Sequence, residues 1–548
     1  MVRVHRPRDQ DRSASGLVQR QALTNINERR PPAPETVPIV GRMPGPAAKV
    51  ARATRHVPKP GRRHLAEHTD VMPTAAHSIR WDPVRVSVDY WTWYSRVWDI
   101  WWTRNAGGAA IAAAGRSRFD ALVQFARAHS PFYRDAYRGL PAGRLDPARL
   151  PVVTKRALMH RFNDWVTDPQ VKLSGVAAFV ADREHIGERY LDRYVVWKSS
   201  GSTGEPGIYV QDGDALETFD ALMAVHRDPA GFAAEHSWPL AVGGVRAALI
   251  AATGDHFASI ASWQRLTRNS PWIAARSFSI MDPLPQLAAA LNAYRPAFVA
   301  SYPTMLSLLA HERKAGRLEI DPVSLWSGGE CLPASTRAEI EAAFGCRVSN
   351  EYGASECLSI AFGCREGWLH VNADWVLLEP VDDDYRPTPP GEPSRTVLLT
   401  NFANRVQPII RYDLGDSIVV KREPCACGSP LPAIEVEGRH DDVLSMVAPD
   451  GHIVRLLPLA LTTIVEDAVS VPRFQIVQTA PDRLLVRLDC RGDADRPATW
   501  RAAEGALRGY LALQSLPNVS VGLDKRRPLA DRRSGKLREV VVAKEGDE

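Results

Sequence analysis

Seven cysteines in 548 residues are few, and the number is odd. That argues against a disulfide framework and leaves thiols or metal ligands. No apolar run reaches the ~18 residues of a membrane span. The opening residues, MVRVHRPRDQ, lack the apolar stretch of a secretory signal, so a cytoplasmic protein is expected. The Ser/Gly-rich loop at Ser199 lacks the Gly-Lys-Ser/Thr ending of a Walker A phosphate site. No internal repeat is visible. The net charge is only +5, with much of the basic excess near the N-terminus, and no nucleic-acid partner is expected. What the chain does have is 45% hydrophobic residues, enough for sizeable cores in one very large or several ordinary domains.

Residues 1–78 are rich in Arg and Pro and poor in large apolar side chains. They read as a disordered tail, with a partner-binding tail or a transit-like segment as alternatives. A Trp-rich helical lead-in follows at 81–115. Trp91, Tyr94, Trp98 and Trp102 share helical spacing, and such a stripe is expected to pack on its own domain, with a membrane-surface or partner-binding helix as the alternative. Helices are expected from Arg116 to Ala128, ended by Pro131, and after Thr154 as an N-cap. Another is expected from Ala215 to His226. The middle alternates strands and helices: Ala297–Ser301 and Val323–Trp326 as strands, Ala288–Tyr294, Met305–Lys314 and Ser335–Ala343 as helices. This implies an α/β sheet with ligands at strand ends. After 368 short strands take over. Beyond a boundary at Gly438–Asp442, about a hundred residues with their own helices and strands are long enough for a small separate domain.

The loop Ser199-Ser200-Gly201-Ser202-Thr203-Gly204-Glu205-Pro206 lies between two strand-like runs, Tyr194–Trp197 and Gly207–Val210. Glycines let backbone N–H groups approach an anion, and hydroxyls add donors. A plain polar hairpin has the same composition. Further blocks follow in order: Tyr302-Pro303, Ser327–Glu330, Glu351-Tyr352-Gly353-Ala354-Ser355-Glu356, Ile410–Asp416, Gly438–Asp442 and Ser534-Gly535-Lys536.

This ordered set resembles the adenylate-forming superfamily of acyl-CoA synthetases, adenylation domains and luciferases. Pro131–Arg134 with Leu150–Lys155, and Thr400-Asn401 with Gln407–Asp416, are most similar to the phenylacetate-CoA ligase branch. The resemblance spans residues 115 to 545. It implies an α/β fold with a large multi-sheet adenylation domain at 79–437, a hinge at 438–442 pivoting on Asp441, and a small mobile α+β lid at 443–548. It further implies that Ser199, Ser200, Gly201, Ser202, Thr203 and Gly204 cradle the β- and γ-phosphates of ATP. Gly328, Gly329, Glu330, Tyr352, Gly353 and Ser355 would border the nucleotide, Asp416 the ribose hydroxyls, and Arg439 the ribose and phosphate. Glu356 would hold Mg²⁺. Lys536 would bridge carboxylate and α-phosphate in the transition state. Tyr302, Pro303 and Ala354 would line the acid pocket, with Cys357, Trp238 and Phe278 as further candidates. The chain departs from the branch at Glu205, where Lys is usual beside a triphosphate.

Cys364-x5-His370 and Cys425-x-Cys427 supply three thiols and one imidazole, a set suited to closed tetrahedral Zn²⁺. Unlinked buried thiols are the alternative, and Cys331, Cys346 and Cys490 show no partner. The expected activity is ATP-dependent conversion of a carboxylic acid, aromatic or otherwise compact, to an acyl-adenylate and then a CoA thioester, with AMP and pyrophosphate released. The co-substrates are ATP, with Mg²⁺, and CoA. A carrier protein, amine or hydroxyl is the alternative acceptor, and a non-catalytic scaffold of the same fold is a further reading. The sequence is compatible with a homo-oligomer.

Overall fold

The computed structural model describes residues 90–141, 143–199, 207–226, 245–268, 273–437, 443–469, 471, 473–490, 496–529 and 537–543. The tail expected at 1–78 and the hinge at 438–442 lie outside them. The described part is α/β, as expected. Its centre is a nine-stranded sheet that is parallel at one end and antiparallel at the other. The parallel end runs Ile273–Ser279, Val245–Ala251, Phe298–Ser301, Ser324–Gly328 and Val348–Ala354. From there Cys357–Gly363, Leu369–Val371, Ala433–Glu437 and Ser417–Val420 continue antiparallel. The reversal sits at the tight turn Ser355-Glu356, where Ala354 faces Cys357 across the hairpin.

The parallel strands are joined by helices whose periodicity shows in the sequence. Leu284–Tyr294 buries Leu287, Ala288 and Leu291, and Pro303–Lys314 buries Met305, Leu306, Leu308 and Leu309. Both place proline in the first turn, where its missing N–H has no intrahelical partner to lose. Two three-stranded sheets flank the large one. The first is Arg189–Tyr190, Tyr194–Lys198 and Ile208–Gln211; the second is Val376–Val381, Thr396–Asn401 and Ile409–Asp413.

The helix expected over Arg116–Ala128 is longer, Gly108–His129. A Cβ at Gly115 would stand 2.4 Å from the Ala373 carbonyl oxygen, so glycine permits the close docking of this helix. Pro131 does not merely end it. Ser130 caps a second short helix, Pro131–Ala136, accepting a hydrogen bond from the Tyr133 N–H with Pro in the first turn. Thr154 caps Lys155–His160 as expected, through the Ala157 N–H.

One expectation is overturned. The aromatic stripe on Tyr90–Asn105 does not pack on its own domain: Trp91 is 85% exposed, Tyr94 57%, Trp98 54% and Trp102 69%. Periodicity reveals that a face exists; it does not reveal which way the face turns. The helix is held instead by its other side, where Ile100 is buried and Trp93 and Val97 pack on the core.

Residues 443–543 build a hairpin, Leu444–Val447 with Ile453–Leu456, and a four-stranded sheet ordered Ser520–Leu523, Arg483–Asp489, Arg473–Ala480 and Val540–Val542. Helices Pro458–Ala468 and Arg496–Leu513 accompany it. Its apolar residues share one core with the parallel half of the large sheet. Gln514 donates to the Met281 carbonyl at 2.8 Å, and Arg183 lies 3.7 Å from Asp467.

Candidate active site

The Ser199 loop is anchored at a neck that the structure describes. The Ser199 N–H donates to the Gly207 carbonyl at 2.9 Å, and the Ser199 hydroxyl accepts the Gly207 N–H at 2.9 Å. The Lys155 ammonium donates to the same hydroxyl at 3.4 Å. Ser200, Gly201, Ser202, Thr203 and Gly204 lie outside the described residues, as do Arg439, Asp441, Lys536 and Trp238.

Both strands leading to that neck are tied to the acidic turn. Trp197, wholly buried, donates from its indole N–H to the Ser355 carbonyl at 2.8 Å. From the returning strand Tyr209 donates its hydroxyl to Glu356 Oε1 at 2.5 Å. Tyr412 donates to the same oxygen at 2.7 Å, and the two phenol oxygens are 3.2 Å apart. Burial, and then the Glu356 carboxylate, hold both phenols well above their ordinary pKa, so both are donors. Glu356 is itself buried, and Asn401 donates to its main-chain carbonyl at 3.1 Å. Oε1 is thus committed to two tyrosines. A carboxylate has acceptor sites on both oxygens, and Oε2 has no part in the clamp.

Tyr412 leads along its strand to Asp416, and Tyr352 donates its hydroxyl to Asp416 Oδ2 at 2.8 Å. Burial, then Asp416, raise the Tyr352 phenol well above its ordinary value. Gly328 pairs with Glu351 at the carboxyl end of the parallel strands. Gly329 has φ +80, and a Cβ there would meet the Tyr302 ring at 3.1 Å, so two reasons require glycine. Glu330 accepts from the Thr304 N–H at 3.1 Å and from the Thr304 hydroxyl at 2.8 Å, closing the N-terminus of Pro303–Lys314. Burial pushes the Tyr302 phenol up to about 12. Gly353 approaches the Leu358 carbonyl so closely that a Cβ would lie 2.0 Å from it. Ala354 packs at the edge of the large core, beside buried Cys357. Phe278 is buried against Tyr294, with ring centroids 5.7 Å apart, and serves the core.

Of the residues expected from the sequence, the structure brings Tyr352 to Asp416, Gly329 to Tyr302, and the strands beside the Ser199 neck to the Ser355-Glu356 turn. Sequence reasoning missed Tyr209, Trp197 and the contact of Lys155. The strand after the loop is buried at every position, so no alternation singles out Tyr209, and its partner is 147 residues away.

Residues 131–134 with 150–155, and 400–401 with 407–416, frame this site. Tyr133 donates to the Pro408 carbonyl at 3.0 Å and accepts the Ile410 N–H at 3.2 Å, while Trp165 donates to the same carbonyl at 2.6 Å. Val153 runs beside Arg411 and Tyr412, exchanging main-chain hydrogen bonds with Arg411 and Asp413. Gln407 clamps the strand after the loop: its Oε1 accepts the Val210 N–H at 2.7 Å and its amide donates to the Ile208 carbonyl at 3.1 Å.

At the antiparallel end, Cys364, His370, Cys425 and Cys427 offer four ligand atoms that all lie within 4.8 Å of one another. The Cys427 sulfur is 3.1 Å from His370 Nε2, and the Cys364 and Cys425 sulfurs are 3.8 Å apart. His370 Nδ1–H donates to the Leu431 carbonyl at 3.0 Å, which leaves Nε2 as the lone-pair nitrogen facing the thiols. The Ser429 N–H donates to the Cys427 sulfur at 3.5 Å. The donor set, with the Leu431 carbonyl orienting His370 and the Ser429 N–H on Cys427, fits a tetrahedral Zn²⁺.

No protein-family model matches this chain. Protein CapK of Staphylococcus aureus is 25% identical over 215 residues, a stretch spanning 38% of this chain and 44% of that protein, less than half its length. Among solved structures, 2-hydroxyisobutyryl-CoA ligase in complex with 2-HIB-AMP and CoA overlaps at a TM-score of 0.49 and 20% identity, over 84% of this chain and 94% of that one. A benzoate CoA ligase from Burkholderia xenovorans LB400 overlaps at 0.29 and 15%, over 62% and 66%. Overlaps of this depth carry no chemical inference; the chemistry rests on the chain's own residues.

Among the described residues no helix is long and apolar enough to cross a membrane.

Proposed function

We propose that the chain is an AMP-forming ligase that activates a carboxylic acid as its acyl-adenylate and passes the acyl group to CoA. The observation that supports this most is the double tie between the strands flanking the Ser199 loop and the Ser355-Glu356 turn, made by Trp197 to the Ser355 carbonyl and by Tyr209 to the Glu356 carboxylate. A triphosphate seat and an acidic cation ligand must be fixed relative to one another if a Mg²⁺ is to bridge them. The two strands flanking the loop fix them here. The acid's carboxylate oxygen attacks the α-phosphorus of ATP, the phosphoric anhydride bond to pyrophosphate breaks, and a mixed carboxylic–phosphoric anhydride bond to AMP forms. CoA thiolate then displaces AMP.

In this reading Ser199 and the loop residues through Gly204 hold the leaving pyrophosphate by backbone and hydroxyl donors. Lys155, at the neck, supplies the positive charge that Glu205 does not. Glu356 would hold Mg²⁺, a hard cation that favours oxygen ligands, with the carboxylate oxygen that the two tyrosines leave open. Mg²⁺, when bound, neutralises phosphate charge. Tyr352, Gly328, Gly329 and Glu330 border the base, with Asp416 held by Tyr352 for the ribose. Arg439 lies on the phosphate side. Tyr302, Pro303 and Ala354 border the acid. Residues 443–548 act as a lid, with Asp441 as hinge, that delivers Lys536 to the carboxylate and α-phosphate. Cys364, His370, Cys425 and Cys427 hold a structural Zn²⁺ that ties the strand Leu369–Val371 to the turn at 425–428.

A panel of aromatic and small organic acids with ATP and Mg²⁺, run with and without CoA, tests this. The expected result is acid-dependent AMP and pyrophosphate, with a thioester by mass only when CoA is present. Acyl-adenylate without thioester formation would move the acceptor to a carrier protein, amine or hydroxyl. No acid-dependent turnover across the panel would refute the ligase reading.

A further inference from the structure

The helix Tyr90–Asn105 is turned the wrong way for a surface helix of a water-bathed protein. Its two arginines point inward. Arg104 donates to Asn372 at 2.8 Å and to Asp374 at 3.0 Å, in a nearly buried pair. Arg96 lies 3.8 Å from Asp214 and 5.0 Å above the Trp375 ring. Asp99, at the margin, is paired with Arg118. The outward face carries Trp91, Tyr94, Trp98, Trp101 and Trp102, from 44% to 85% exposed. The polar residues between them turn back on the helix itself: Ser95 donates to the Thr92 carbonyl at 2.8 Å and Asn105 to that of Trp101 at 2.7 Å. Trp98 and Trp101 meet edge to face with centroids 5.4 Å apart, and Trp101 and Trp102 lie 6.0 Å apart, so these three rings form continuous aromatic surface. Isolated exposed apolar residues need no explanation, whereas a contiguous patch marks a contact.

The chemistry of the patch narrows its occupant. Every large residue on it is Trp or Tyr, with no Leu, Ile, Val or Phe. These two side chains concentrate at the membrane–water boundary, where an amphipathic ring has an apolar body in lipid and a polar atom at headgroup level. The chain segment that runs into the helix carries the complementary charge. The first 80 residues hold fifteen Lys and Arg against six Asp and Glu. A basic stretch next in sequence to an aromatic helix is the pairing that binds an anionic bilayer, since neither an apolar patch nor a basic stretch holds well alone.

We propose that the outward face of Tyr90–Asn105 seats the protein on an anionic lipid bilayer, with the aromatic rings at headgroup depth and the positive charge of the preceding sequence favouring anionic lipid. The helix lies in the interface and does not cross it. The remaining chain would then act on substrate at the membrane surface.

The test uses the full chain with vesicles of phosphatidylcholine alone and of phosphatidylcholine with roughly a third phosphatidylglycerol. Co-sedimentation is expected with the anionic vesicles only, weakening as salt rises from ~0.1 to ~0.5 M because screening shortens the reach of the basic segment. Bromine-labelled phosphatidylcholine in those vesicles should quench tryptophan fluorescence of the unmodified protein. The triple variant Tyr94→Gln, Trp98→Gln and Trp102→Gln, with an unchanged circular dichroism spectrum, should bind at least about tenfold more weakly. Absence of wild-type sedimentation, absence of quenching, or equal binding by the variant would overturn the proposal. So would light scattering that shows a dimer abolished by the variant, with no vesicle binding, because a second copy would then cover the face.

Discussion

Replacing Tyr209 and Tyr412 with phenylalanine, singly and together, probes the join between the Ser199 loop and Glu356. Both hydroxyls donate to one buried carboxylate oxygen, at 2.5 and 2.7 Å. Removing either leaves the other in place, so each single change should lower stability by about 1 kcal/mol, the net worth of one hydrogen bond. Removing both strands Oε1 inside the protein, with the penalty of a buried, unpaired charge, about 3–5 kcal/mol. The double variant should therefore exceed the sum of the singles by about 1–3 kcal/mol. Urea unfolding followed by tryptophan fluorescence measures this, because Trp165 and Trp197 are buried in the core that contains both tyrosines. Coincident fluorescence and circular dichroism transitions establish two-state unfolding for each variant. Additivity within about 0.5 kcal/mol would refute the shared-oxygen clamp, because independent sites add to that precision.

Lys536→Ala should abolish acyl-adenylate formation in a pyrophosphate-release assay while leaving the circular dichroism spectrum unchanged; unchanged turnover would remove its role. Lys155→Ala should raise the KM for ATP several-fold with little effect on that for the acid, and equal effects on both would refute a role at the phosphate end. Metal analysis should find about one zinc per chain, reduced in Cys427→Ser and His370→Ala; a fully stable, metal-free wild type would overturn the metal centre. The fourth expectation concerns acid stability. His226 receives a hydrogen bond on Nδ1 from Arg104 at 3.3 Å and gives one from Nε2 to Asn372 at 2.8 Å, so its partners suit the neutral ring. Burial, then Arg104, lower its pKa well below the ordinary value. Below about pH 6.5 the unfolded chain therefore binds a proton that the folded one refuses. Stability should be full above that pH and fall as the pH drops beneath it. His226→Gln should flatten this slope in melts from pH 7 to 5, and an unaltered slope would contradict the assignment.

Much of the frame could be read from the chain because its signals are local. Apolar periodicity marked the helices at 284–294, 303–314 and 334–344 to within a few residues, and the turn residues between them marked the strand ends. The site blocks could be placed on strand ends for the same reason. What could not be read is long-range. Tyr209 and Tyr412 meet across 203 residues, and nothing local distinguishes them from any strand tyrosine. The short helix at Pro131 was hidden because proline both stops one helix and starts the next, and Ser130 decides which. Strands such as Cys357–Gly363, Ala433–Glu437 and Ser520–Leu523 mix buried and half-buried residues and have no clean alternation to betray them. The aromatic stripe was seen and placed on the wrong side, because spacing defines a face while tertiary packing assigns it. Arg104 and Arg96, reaching inward to acids far along the chain, make that assignment.

The central claim is that this chain makes an acyl-adenylate. Exchange of labelled pyrophosphate into ATP, in the presence of an acid and Mg²⁺ but without CoA, measures that step in isolation. The account predicts exchange that depends on the acid, is lost in Lys536→Ala and is strongly reduced in Glu356→Gln. Exchange independent of any acid, or retained in both variants, would contradict it.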